Sequence, residues 1–284
     1  MSALPAYFPP FPSTPLYHYT GLDTLFNIVS TREIRASSVH YMNDALEINH
    51  ACAQMQELMR PYIAFGSATA NGEIATQFSQ WLERVPDDTS RTVCVFSLSE
   101  EPNSLSQWRS YTPHGKGVRI EFNGSEFNQN TVNQKFVIGK CIYTQQEQSD
   151  YMSAVFQYVC QLARDGRISE GAQGEPLYSY VHIFDKHASD FYQLLALIKH
   201  PSFSEEKEWR IISTLKTDHE GCELRMGKSM LIPYVTLSLP DTGMFKSVML
   251  GPSEHTKLSV ASLRSYLRNH CNYVDHTDIP YREW

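Results

Sequence analysis

The sequence predicts a single α+β domain, with a central mixed or split β-sheet flanked by helices. Three observations lead there. Some stretches repeat apolar residues at i, i+3, i+4 and i+7, while others alternate or run apolar over roughly four to eight residues, the helix and strand patterns respectively. The two patterns mix along the chain without strict alternation, which favours α+β over a parallel βαβ series. No internal repeat, low-complexity linker or charge shift marks a boundary, so residues 1–15 read as a proline-rich extended lead-in and 16–284 as one domain.

The lead-in carries prolines at 5, 9, 10, 12 and 15, which keep it extended and free of helix. Leu16–Thr20 then reads as a strand. Thr20 is expected to cap a helix running to about Ser30, with Asp23 at N3 and an apolar stripe of Leu22, Leu25, Phe26 and Val29. Ile34–Val39 is a short strand. A second helix opens at Asn43-Asp44-Ala45-Leu46-Glu47 and buries Ile48, Ala51, Cys52, Met55, Leu58 and Met59. A small-residue loop from Gly66 to Gly72 precedes a weaker helix, about Glu73 to Arg84.

Thr92–Leu98 is a near-continuous apolar strand, as at the centre of a sheet. Ser104–Tyr111 is a short helix stopped by Pro113 and Gly115, and Gly117–Phe122 alternates as a half-buried strand. Phe136–Tyr143 is a further strand. Two long helices follow, one lined by Met152, Val155, Phe156, Val159, Cys160 and Ala163, the other running from Phe184 to Ile198 and ended by Pro201. Strands at Trp209–Ser213, Leu231–Leu237 and Ser247–Leu250 and a helix at about Lys257–Asn269 complete the chain.

Composition excludes several functions. At 24 basic and 31 acidic residues the net charge is −7, which argues against a broad nucleic-acid footprint. No run of 18 apolar residues predicts a membrane span, and the N-terminus lacks the basic and apolar segments of a signal peptide. The six cysteines are scattered without a CxxC pair, so a reduced, cytoplasmic protein is expected. Gly115-Lys116-Gly117 lacks the third glycine of a dinucleotide fingerprint and enters a strand. Gly227-Lys228-Ser229 has cysteine where a P-loop needs glycine at 222, and no HExxH or GxSxG is present.

The candidate site rests on two distant strands, expected to lie side by side with their polar ends forming one nucleotide pocket. The first supplies His18 between Tyr17, Tyr19 and Thr20, aromatic faces and hydroxyls suited to a ring-and-ribose ligand. The second supplies Glu205, Glu206 and Glu208 with Arg210. Glu208 and Arg210, two apart on a strand, share a face, and the guanidinium keeps the carboxylate ionised. An ionised carboxylate beside a sugar carbon is what an oxocarbenium-like transition state requires. Ser97 and Ser99 end the central strand and Trp108 and Tyr111 follow at helical spacing, either as a cap and packing pair or as cavity lining. Tyr41 and Asn43 precede a helix N-terminus that favours phosphate. Asp44 with Glu47 reads first as a capping box, and Asp44, Glu47 and His50 as metal ligands only second.

Tyr17-His18-Tyr19-Thr20, Tyr41-Met42-Asn43-Asp44, Phe96-Ser97-Leu98-Ser99 with Ser104, Trp108 and Tyr111, Gly117-Val118, and Phe203–Arg210 together resemble a widespread, mostly bacterial domain-of-unknown-function family. Its members carry H-Y-T, N-D-x-x-E, F-S-x-S…W-x-x-Y and E-K-E-W-R in this order. More loosely, the order of His18-x-Thr20, the hydroxyls after the middle strand and the late Glu208 is similar to ADP-ribosyltransferases of the histidine–tyrosine–glutamate type. That resemblance implies an ADP-ribosyltransferase-like fold and NAD as substrate. It gives His18 the ribose, Tyr111 rather than Tyr41 the nicotinamide, and Glu208 the ribose 2′-hydroxyl and the cation. Glu206 would complete a Glu-x-Glu pair. The expectation is therefore an NAD-consuming ADP-ribosyltransferase or NAD glycohydrolase acting on an unnamed acceptor, by analogy a toxin or phage-defence effector. The alternatives are a nucleotide-sensing module without turnover and, third, a metal-dependent hydrolase or nuclease built from His18, Asp44, Glu47 and Glu208.

Overall fold

The computed structural model describes residues 7–8, 11–42, 47–64, 66, 69–172, 178–227, 229–240, 243–271 and 273–280. The chain opens with β1 (Tyr17–Thr20), α1 (Leu22–Thr31) and β2 (Glu33–Ser38). Helices α2 (Glu47–Ala64) and α3 (Ala70–Arg84) lead to β3 (Arg91–Thr92) and β4 (Cys94–Ser99). Next come α4 (Leu105–Tyr111), β5 (Val118–Phe122), α5 (Gly124–Asn133), β6 (Val137–Lys140), α6 (Gln145–Ser169), α7 (Val181–Lys186) and α8 (Ala188–Leu195). The remainder holds β7 (Glu208–Ile212), β8 (Lys216–Thr217), β9 (Glu223–Met226), β10 (Leu231–Ser238), β11 (Phe245–Leu250), α9 (Thr256–Leu267) and β12 (Val274–His276).

The main sheet is organised on β4, whose apolar run suits a strand covered on both faces. One edge of β4 pairs along its length with β7, from Val95↔Ile212 to Ser99↔Glu208, and β6 lies outside β7. The opposite edge is shared. β2 pairs with its start (Ser38↔Cys94, Ser37↔Val95), and β1 touches only its end (Tyr17↔Ser99). From that fork one arm continues as β1–β5–β11–β12 and the other as β2–β10–β9. All pairs are antiparallel except β11 with β12, which makes the sheet mixed, and β3 and β8 form a separate two-strand ladder. Helices cover both faces of this α+β fold. α2, α3, α6, α7 and α8 pack with Val95 and Ile212, while α1, α5 and α9 pack with Cys94, Phe96, Ile120 and Ile211.

Several expectations change. β1 and β7 are not side by side, because β4 lies between them. Thr20 does not cap α1, since it is held in the β1–β5 ladder opposite Val118 and Gly21 takes the cap position. Of the expected α1 stripe, Leu25 and Val29 are buried with Ile28, whereas Leu22 and Phe26 face outward. β5 is buried on both faces rather than half-buried, because Arg119 stacks over Tyr17 at 4.4 Å and donates to Ser247. The helix expected from Phe184 to Ile198 breaks at His187, whose backbone (φ −104, ψ 14) is non-helical, and Pro201 opens a 3-10 turn, Pro201–Glu206. The opening of the second helix at 43–46, with the Asp44 cap, lies outside the described residues. The six cysteines are free. No helix among the described residues is long and apolar enough to cross a membrane.

Candidate functional site

The fork at β4 creates the site. Where β1 leaves β4, the backbone ladder stops and a side chain takes its place: His18 Nδ1–H donates to the Ser97 carbonyl at 2.9 Å. A carbonyl only accepts, so this bond fixes the neutral tautomer and leaves Nε2 as an acceptor. The half-buried ring lies 4.2 Å from Phe96, and burial pulls the imidazole down to about 4 despite that bond. Alongside, Tyr17, Tyr19, Ser97, Leu98 and Ser99 line a narrow cleft of about 310 Å³, counting its open mouth. Its closed part admits a small ring, and a ligand larger than that extends through the open mouth.

The far wall is acidic. Glu208 opens β7, and its carboxylate is gripped by Arg210, Nε to Oε1 at 3.0 Å and Nη2 to Oε2 at 3.0 Å, the same-face contact that the i, i+2 spacing implies. Lys199 Nζ adds a bond to Oε2 at 2.6 Å and also reaches Glu206 Oε2 at 2.5 Å. Behind them Glu47 Oε2 meets Arg210 Nη2 at 2.5 Å and Glu47 Oε1 lies 3.5 Å from Lys199. Burial opposes the charge on Glu208, but Arg210 and Lys199 outweigh it and hold the carboxyl at about 2. Glu47 goes the other way, pushed up by burial that the same two cations only partly offset. Burial likewise pulls Lys199 down, yet Glu208, Glu47 and Glu206 leave it raised.

Backbone geometry brings the two cleft acids together. Lys207, between them, adopts a left-handed conformation (φ 42, ψ 50), which costs a non-glycine residue about 1 kcal/mol or more. Ser99 holds the turn in place: its Oγ donates to the Glu206 carbonyl at 2.7 Å and accepts from the Glu101 N–H at 3.0 Å. Tyr143 Oη accepts from the Glu208 N–H at 2.9 Å.

The third wall is α4, which presents Gln107 and Tyr111, one turn apart, to the cleft while Trp108 turns inward. Tyr111 donates to Glu206 Oε1 at 2.5 Å and keeps part of its ring exposed, at 37%. Trp108 is buried, edge-on to Tyr19 at 4.8 Å, with its indole N–H on Asn103 Oδ1. The close packing beneath needs glycine twice: a Cβ on Gly117 would sit 2.3 Å from the Thr20 carbonyl oxygen, and one on Gly251 would sit 2.9 Å from the Trp108 ring.

Of the residues singled out in the sequence, His18, Tyr19, Ser97, Ser99, Tyr111, Glu206 and Glu208 converge on the cleft. Arg210 is fully buried behind Glu208 rather than on the cleft surface, and Trp108 is a packing residue. Thr20 is buried at the end of β1 away from the cleft wall, and Tyr41 sits in the 3-10 turn after β2, also off it. Asn43 lies outside the described residues. Sequence reading missed Gln107, Lys199, Tyr143 and Cys141, whose thiol donates to Glu208 Oε2 at 3.6 Å. Gln107 carried one signal, its i−4 position relative to Tyr111. Lys199 carried none, for it lies beyond the α8 pattern and reaches the acids only through the fold. Of the residues of the metal reading, Asp44 lies outside the described residues, and no group of three or more His, Cys, Asp or Glu side chains among the described residues is placed to hold an ion.

The model of a family described as "Protein of unknown function (DUF2971)" matches residues 107–211. That span begins at Gln107 on α4 and includes Tyr111, Lys199, Glu206, Glu208 and Arg210, while His18, Ser97 and Ser99 lie outside it. No curated protein and no solved structure matches the chain.

Proposed function

We propose that the cleft takes the nicotinamide–ribose end of NAD and breaks the bond between them, in the manner of an ADP-ribosyltransferase or NAD glycohydrolase with a related fold. The observation that carries this reading is the shared cleft: the early imidazole of His18 and the late carboxylates of Glu206 and Glu208 face one space, with the Tyr111 ring at its side. When the C1′–N bond breaks, its electron pair leaves with nicotinamide, whose ring nitrogen loses its positive charge, and the sugar is left as an oxocarbenium cation. Water or an acceptor nucleophile then adds to C1′ and gives up a proton.

The electrostatics suit that step. Three carboxylates (Glu47, Glu206, Glu208) face two cations (Lys199, Arg210), so with all three ionised the wall carries one net negative charge. Such a wall favours the pyridinium and the cation that succeeds it, and directs the phosphates outward to the mouth. His18 Nε2, held as an acceptor, takes a ribose hydroxyl, and Tyr111 offers its ring face to the base.

A second reading, a sensor that binds without turnover, is favoured by one feature: both Glu208 oxygens already accept bonds from Arg210 and Lys199. The two separate on incubation with NAD. Nicotinamide release that falls at least ten-fold in Glu206→Gln and Glu208→Gln supports the enzyme. A ligand-induced rise in thermal midpoint without release supports the sensor, and neither effect overturns both.

A further inference from the structure

Gln107 stands apart from the other buried glutamines. Gln148 donates to three carbonyls and Gln193 to the Ser213 carbonyl, so their amides are satisfied within the protein. Gln107 is only 5% exposed, yet no group among the described residues hydrogen-bonds its side chain. It lines the same cleft as Tyr111, Glu206 and Glu208. Its amide atoms are not sealed from solvent but open onto the cleft, and an amide offers a ligand there a donor and an acceptor side by side in one plane.

We propose that Gln107 is the specificity-determining residue of the cleft, its carboxamide pairing with a planar ligand edge that sets a hydrogen-bond donor beside an acceptor, a primary carboxamide foremost. The inference rests on the reading of this cleft as a ligand site and adds which edge it selects. An amide-to-amide pair makes two parallel N–H···O bonds, which an acid in the ligand cannot reproduce once ionised. The neighbouring carboxylates Glu206 and Glu208 repel that acid as well. Discrimination then has both halves, a matched pair for the amide and a clash of charge for the acid.

The test uses nicotinamide and nicotinic acid as probes, with dissociation constants measured on the full chain by calorimetry or saturation-transfer NMR. Wild type is expected to bind nicotinamide at least ten-fold tighter than nicotinic acid. Gln107→Leu, and the near-isosteric Gln107→Met as a second variant, should lose about ten-fold in nicotinamide affinity, the effect of roughly one lost hydrogen bond. Their thermal midpoints should stay about level, because the Gln107 side chain makes no hydrogen bond to the described protein and its amide opens onto the cleft. Equal affinities in wild type, no nicotinamide binding, or unchanged selectivity in the variants overturns the proposal. So does a lowered midpoint with selectivity intact, the signature of a purely structural glutamine. Selective nicotinamide binding without cleavage of NAD overturns the glycosidic reading and leaves this one standing, whereas cleavage of NAD that is indifferent to Gln107 does the reverse.

Discussion

Lys199 is where the acidic wall is most exposed to test. Its Nζ lies 2.5 Å from Glu206, 2.6 Å from Glu208 and 3.5 Å from Glu47, and the side chain is buried. Lys199→Met keeps much of the chain length but removes the ammonium, with its contact 5.0 Å from the Phe203 ring centre, and leaves three carboxylates facing Arg210 alone. Removing one partner of a buried ion pair costs about 3–5 kcal/mol, and since two of the three carboxylates are themselves buried, about 4 kcal/mol is expected at pH 8. The penalty should depend on pH, with a definite sign. In the variant a carboxyl, Glu47 first because burial already pushes it up, takes a proton at a pH where the unfolded chain, near 4.5, does not. The folded variant then binds more protons than its unfolded state, so its stability recovers relative to wild type as pH falls from 8 towards 5. Urea unfolding followed by tryptophan fluorescence at pH 8 and 5.5 reads both numbers, and the gap should narrow by about 1 kcal/mol, roughly one pKa unit. A penalty under about 1 kcal/mol at both pH values, or one that grows on acidification, refutes the assignment of Lys199 as the charge that holds the wall together.

Three further outcomes follow from the same geometry. His18 is depressed to about 4 from 6.5, so the unfolded imidazole takes its proton first, and wild type loses stability as pH falls through 6.5 and on to about 4. For a half-buried ring that loss is about 2 kcal/mol, and His18→Gln, which does not titrate, should show a flatter curve by that amount; parallel curves would count against it. Ser99→Ala removes the donor to Glu206 and the acceptor for Glu101, which should cost about 1–2 kcal/mol and reduce nicotinamide release beyond what the stability loss explains. Gly117→Ala should cost about 1–3 kcal/mol, because its Cβ would meet the Thr20 backbone oxygen; an unchanged thermal midpoint would show that β5 can shift.

What was legible in the sequence was whatever local patterning encodes. The apolar runs of β4, β7 and β10 and the buried faces of α2 and α6 follow from period alone, and so does the Glu208–Arg210 pairing. What was not legible depends on pairings distant in sequence. α5 has Phe127 and Thr131 as its buried residues, too few to mark a helical stripe, and β9 is an edge strand of mostly exposed residues that pairs with β10. The placement of β4 between β1 and β7 follows from no pattern in either outer strand. Arg119 and Glu121 looked like the solvated side of β5, because alternation shows which residues share a face but not whether Tyr17 and Ser247 will cover it.

The buried charges themselves argue that this wall has a purpose beyond holding the fold. An apolar replacement of similar volume often does as well or better for stability, because desolvation consumes most of the Coulombic gain. Here five ionised side chains converge, and the two acids that open onto the cleft are joined through Lys207, held in a left-handed backbone that itself costs energy. Strain and buried charge meet, beside the Gln107 carboxamide, on one small cleft where the sheet forks. Each is destabilising in isolation, and packing elsewhere in the two helical layers offsets them. A pattern of local costs concentrated at a concave site is what a preorganised binding or reaction site requires, since charges fixed before the ligand arrives need no reorganisation when it does. On this argument Glu208 acts by staying charged and fixed, and Glu206, whose side-chain partners among the described residues are Tyr111 and Lys199, is the acid free to exchange a bond with the ligand.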